Sequence, residues 1–109
     1  MKNVFSMDGV PGTTFTQTST DASQALTAAS VLSSDGNRAI AVLITCETKD
    51  IKFVLGGATP VSAGLGHILA TSQSIILSNS SAVKSFRFIS STAGQAGVLQ
   101  ITPFFEPGR

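Results

Sequence analysis

The sequence predicts an all-β fold: a small antiparallel β-sandwich, jelly-roll-like or immunoglobulin-like, with an extended N-terminal arm. Three observations carry this expectation. Short runs of aliphatic, β-branched or aromatic residues alternate with polar ones at a period of two. Turn residues recur about every 8–12 positions between those runs, the spacing of a sandwich or small barrel. Helical patterns do not alternate with the strand-like runs, which argues against an α/β arrangement.

The 109 residues are read as one domain. Composition changes near Arg38. Residues 1–38 hold 12 of the 27 Ser and Thr and only two Phe, Phe5 and Phe15. So short a stretch makes a poor independent core, so it is read as a Ser/Thr-rich arm (1–37) carrying the first strand or strands. Within it, residues 21–32 (DASQALTAASVL) are open between two readings. Ala22, Ala25, Leu26 and Ala29 have helical spacing behind a possible Asp21 N-cap, while Thr27, Val31 and the Ser/Thr flanks favour extended chain.

The body spans 38–105, followed by a 106–109 tail. Residues 38–47 (RAIAVLITCE) place Ile40, Val42, Ile44 and Cys46 on one face. Both faces are apolar at the start, which predicts a central strand covered on both sides. After a polar break at Thr48, Lys49 and Asp50, residues 51–55 put Ile51, Phe53 and Leu55 on one face. The two strands read as a hairpin ended by Gly56 and Gly57. A loop with Pro60, Gly64 and Gly66 leads to short strands at 67–70 and 74–77, and Asn79, Ser80 and Ser81 signal a turn. Residues 85–89 point Phe86 and Phe88 one way. A Gly-containing turn, read as a hairpin, covers 93–97. Residues 98–105 (VLQITPFF) close the body with Leu99 and Ile101 inward, Gln100 and Thr102 outward, and Pro103 at an edge or at the end of ladder pairing.

Charge is unusually sparse: 12% of residues, net +1, against 42% hydrophobic residues and a mean hydropathy of +0.32. Disorder and a basic nucleic-acid footprint are both poor fits. The longest strictly aliphatic run, residues 39–44, is far short of the ~20 residues of a membrane helix, and the first residues lack the apolar core of a signal peptide. Synthesis in a cytoplasm is expected. A chain this apolar with so few charges favours burying surface against partners.

Catalytic sets are not apparent, and no enzyme activity, cofactor or metal is expected. His67 is the only histidine and Cys46 the only cysteine, short of the four ligands of a structural zinc. A Cys46–His67 pair is formally possible, but Cys46 falls on an apolar face where a thiol packs inertly. His67 is read as a surface or loop-anchoring imidazole. Asp8, Asp21, Asp35, Glu47, Asp50 and Glu106 form no short motif. The glycines at 56, 57, 64 and 66 lack the helix and lysine of a phosphate cradle. Of the seven Phe, Phe53, Phe86 and Phe88 read as core; Phe104 and Phe105 cannot share one side of a flat strand.

The order of these runs carries a resemblance: the Val/Ile-rich strand, Phe53-Val54-Leu55-Gly56-Gly57, a Gly/Ala/Ser loop, the strand pair across 67–77, Ser85-Phe86-Arg87-Phe88-Ile89, a Gly turn, and Leu99-Gln100-Ile101-Thr102-Pro103. Residues 38–105 resemble the small β-sandwich decoration or cement proteins of tailed bacteriophages. The resemblance implies a non-enzymatic virion protein on the capsid surface that binds the major capsid protein and copies of itself, as a homodimer or homotrimer, with no nucleic acid or membrane partner. Other virion components of tail, neck or fibre, and a carbohydrate- or ligand-binding sandwich, are the alternatives. Phe5, Val10, Phe15, Phe104, Phe105 and Arg109 are the expected contact residues, and deleting 1–20 is expected to weaken assembly while leaving a folded body.

Overall fold

The computed structural model describes residues 10–27, 39–62 and 64–105. Among these the elements run β1 (Val10–Pro11), β2 (Phe15–Thr18), β3 (Gln24–Ala25), β4 (Ala41–Glu47), β5 (Ile51–Val54), β6 (His67–Leu69), β7 (Ser74–Leu77), α1 (Ser80–Ser85), β8 (Arg87–Ser90) and β9 (Val98–Phe105). Two antiparallel sheets pack face to face. Sheet A has the order β1-β9-β4-β7, with β2 also on β9; sheet B has the order β3-β8-β5-β6. β1 lies opposite Phe104 and Phe105, and β2 opposite residues 98–101, so the two act as one interrupted strand along the same edge of β9. Each sheet then has four strand positions, and only β5 and β6 are sequential neighbours within a sheet. This alternation is the strand order of a jelly roll rather than of an immunoglobulin domain.

The core forms where the period-two pattern of both sheets faces inward. Val42, Ile44 and Cys46 from β4, Leu99 and Ile101 from β9, and Ile51, Leu69 and Phe88 from sheet B are all buried, with Phe86 at the end of α1. Phe53 is half-buried and stacks on Phe86 at 5.6 Å between ring centres. Leu55 departs from the expected inward face: β5 ends at Val54, and Gly56 and Gly57, at φ 76° and 88°, turn the chain away and leave Leu55 exposed.

The connection between β4 and β5 is not a hairpin. The two strands lie in opposite sheets, joined by an arch at residues 48–50. Each strand has a buried face, and the arch turns those faces toward each other; local alternation is the same for a hairpin and an arch. Thr48 takes φ 69° there, and Ser72 takes φ 75° in the arch between β6 and β7. Both are non-glycine residues in the left-handed region, a cost of about 1 kcal/mol each. Residues 92–95 do form a tight turn, closed by a Thr92–Gln95 bridge, yet β8 and β9 again belong to different sheets.

Pro103 does not end the ladder. It sits inside β9, opposite Val42, and is buried. Its carbonyl accepts from the Gly12 N–H at 2.7 Å, so its backbone polar side faces β1 and β2. The missing N–H therefore falls where that partner strand is interrupted, at residues 12–14, and the β4 side of the ladder continues unbroken.

Three further expectations change. The arm is extended, but residues 10–25 supply strands to both sheets rather than projecting from a finished body. Phe15 packs on the core, and Ser19 is buried with its hydroxyl 2.8 Å from that of Ser90 while accepting from the Gly97 N–H at 2.8 Å. A deletion of 1–20 thus removes structural strands. Residues 24–25 are strand, and 28–32 lie outside the described residues. The turn signal at Asn79 instead caps α1: its side chain accepts from the Ala82 N–H at 2.8 Å, because the same residue types start turns and helices. β4 is central as expected, but its outer face is not fully covered, since Leu43 and Thr45 are only half-buried.

Candidate functional site

The outer face of sheet A carries an ordered row of side chains. Register places Thr16, Gln100 and Thr45 in one row across β2, β9 and β4, with Thr102, Leu43 and Ile76 in the next. The polar side chains bond one another across strands. Thr14 and Thr102 hydroxyls are 2.6 Å apart; Thr16 donates to the Gln100 carbonyl oxygen at 2.9 Å; Gln100 donates to Glu47 at 3.2 Å; and the Thr45 and Ser74 hydroxyls are 2.9 Å apart. Such pairs hold rotamers in place. Glu47 is the only ionisable side chain among the outward positions of β2, β4, β7 and β9.

The outer face of sheet B is built differently. Val54 and Ile89 point outward yet are buried. The loop between β5 and β6 folds back across them. Lys52 donates to the Gly64 carbonyl at 3.0 Å, Ser62 donates to the Ser90 carbonyl at 2.7 Å, and Pro60 is buried. Val61 and Leu65, joined by a 2.8 Å backbone bond, and Ile68, cross-strand neighbour of Lys52, remain exposed.

The arch end of the sandwich holds an open depression of about 350 Å³, lined by Thr48, Lys49, Asp50, Thr71, Thr92 and Gln95. Asp50 accepts from both the N–H and the hydroxyl of Thr71, at 2.8 and 3.0 Å, which orients its carboxylate. The Lys49 and Asp50 charges offset each other. The lining offers both hydrogen-bond donors and acceptors. Cys46 lies buried beneath this end, its thiol donating to the Lys49 carbonyl at 3.1 Å. Burial, reinforced by the nearby Asp50 charge, pushes its pKa up, so the thiol stays protonated and unreactive near neutral pH. Exposed His67 tilts against Phe53 at 5.5 Å between rings, remote in role from Cys46. Among the described residues no group of three His, Cys, Asp or Glu is placed to hold a metal ion, and no helix is long and apolar enough to cross a membrane.

The expected contact residues are scattered rather than gathered. Val10 is half exposed at the end of sheet A. Phe15 and Phe105 are partly buried against the core, and Phe104 is buried on the opposite face of β9, so these three rings pack within the chain. Phe5 and Arg109 lie outside the described residues. The hydroxyl and amide row on sheet A went unnoticed at the sequence level. Its trace was the alternation of Thr14, Thr16 and Thr18 and the outward pair Gln100 and Thr102, but the strands that join these residues are far apart in the chain.

The fold thus defines a two-sheet jelly-roll sandwich with one charge-poor outer face on sheet A. Comparisons with family models, curated proteins and solved structures return no match.

Proposed function

We propose that this chain is a structural virion protein, a capsid decoration or cement protein that docks on the assembled major capsid lattice and stabilises it. The observation that carries the reading is the outer face of sheet A: charge-poor, with polar side chains already locked to each other. A surface of that kind suits a fixed, repeated protein partner better than a diffusing substrate. Jelly rolls serve capsid and lectin domains among others, which is consistent with this use but does not select it.

The mechanism is mass action. A protein that binds the closed lattice and not its dispersed subunits shifts the equilibrium toward the lattice. Symmetric repetition lets many weak contacts act together. Cryo-electron microscopy of the source particle tests the idea: density for the sandwich over the shell, with sheet A toward the capsid protein, is expected. A shell bare of this chain defeats it, and a copy number of a dozen or fewer would move the protein to tail or neck.

The depression at the arch end favours a second reading, a carbohydrate- or ligand-binding module. It lacks an aromatic platform on which a sugar ring could stack. A glycan array giving a hit that is lost on Asp50→Ala would support this alternative.

A further inference from the structure

We infer that β7 is a self-association edge, through which two copies of this chain join their A sheets in antiparallel register. Cys46 donates its N–H to the Gln73 carbonyl at 2.9 Å, and the pairing runs Ile44 with Ile75 and Val42 with Leu77. Backbone polarity alternates along an antiparallel strand, so Ile75 and Leu77 turn their N–H and C=O groups toward β4. Those of Ser74 and Ile76 turn away from the sheet, and no partner pairs with them among the described residues.

The other long edge of sheet A is treated differently. There Thr16 and Thr18 face outward by the same parity, and the Thr18 carbonyl accepts from the Gln24 side chain at 3.2 Å. Gln17 is tied to Ala25 and Thr27 at 3.2 and 2.9 Å. β1 carries Pro11, and the sheet B edges β3 and β6 are two and three residues long. These are the usual protections of a strand edge. Among the described residues β7 has none of these: SIIL contains no proline and no charge, and the nearest charged residue after it is Lys84.

A second copy is the occupant this edge fits. With a two-fold axis at Ile75, Ser74 of one copy opposes Ile76 of the other, and the reverse pair forms too. Each pair exchanges both backbone bonds, so all outward groups of Ser74 and Ile76 are satisfied together. No like charges are opposed, because residues 68–83 contain none. The polar outer faces of both A sheets become one continuous surface. A strand of four residues buries far less than the roughly 1,200 Å² of a standard interface, so the dimer is weak and concentration-dependent. This inference rests on the edge alone and not on the virion reading.

The test is sedimentation of the purified full chain from millimolar to micromolar concentration, with amide exchange followed by NMR. Dimerisation at the high end is expected, with Ser74 and Ile76 amides protected there and exposed on dilution, while Ile75 and Leu77 stay protected throughout. Ser74→Pro removes an outward N–H, together with the hydroxyl bonded to Thr45, and places its ring against an incoming strand, so it should give a monomer with an unchanged far-ultraviolet spectrum. Ile76→Lys should do the same if the proline variant fails to fold. Adding Ser74→Glu to Ile76→Lys should restore the dimer, because the introduced carboxylate of each copy then opposes the introduced ammonium of the other. A wild-type monomer at every concentration, or dimers that persist in both single variants, would overturn the inference.

Discussion

The two outer faces of the sandwich solve the same problem in opposite ways. Sheet B carries apolar residues outward, Val54 and Ile89, and hides them beneath a loop that its own Lys52 and the Ser90 carbonyl hold down. Sheet A carries hydroxyls and amides outward, bonded to each other beside Leu43 and Ile76, with Ala41 and Phe104 buried at one end. The loop-covered face buries apolar side chains; the other presents a row of polar side chains. One sequence of low charge thus builds two different surfaces on the same sandwich.

That division makes the two faces separable by mutation. The largest effect is expected from removing residues 1–20, which takes β1, β2 and the Ser19 clasp from sheet A. Loss of cooperative thermal unfolding is the expected outcome; a deletion that melts like the full chain would show the segment to be dispensable. Next, Ile89→Ala beneath the loop of sheet B should cost about 2–4 kcal/mol in urea unfolding. The matched change on the open face, Ile76→Ala, should cost under about 1 kcal/mol. Equal losses would erase the distinction between the faces.

Between them lies the clasp. Ser19→Ala leaves the Ser90 hydroxyl and the Gly97 N–H short of a buried partner and should cost about 1–3 kcal/mol by chemical denaturation. The smallest effect on stability belongs to Thr16→Ala on sheet A, about 0.5 kcal/mol or less. If that face docks on a capsid lattice, the same variant, and more so Thr16→Arg, should weaken binding to purified capsids in a pelleting assay. Unchanged capsid binding by Thr16→Arg would move the docking surface elsewhere.

Much of the body was legible because burial and period two leave the same trace in a sequence. Val42, Ile44 and Cys46, then Phe86 and Phe88, then Leu99 and Ile101 read correctly as inward residues. Pro103 misled because proline's missing N–H matters only on the side that it faces, and the interruption between β1 and β2 lies some ninety residues away in the chain. Asn79 misled because a turn and a helix start ask for the same side-chain acceptor. The candidate surface was less legible still. Thr16, Gln100 and Thr45 become neighbours only when β2, β9 and β4 lie side by side.

Alone, the sequence determined an all-β chain, its strand runs, its inward faces and its scarcity of charge and reactive groups, since each follows from local pattern or composition. Tertiary structure decided which sheet each strand joins, that 48–50 is an arch, that residues 10–25 belong to the sandwich, and which described strands lie at the sheet edges. Those are pairings between distant segments. Strand pairing is set by cross-strand packing and hydrogen bonds that no short window of sequence contains.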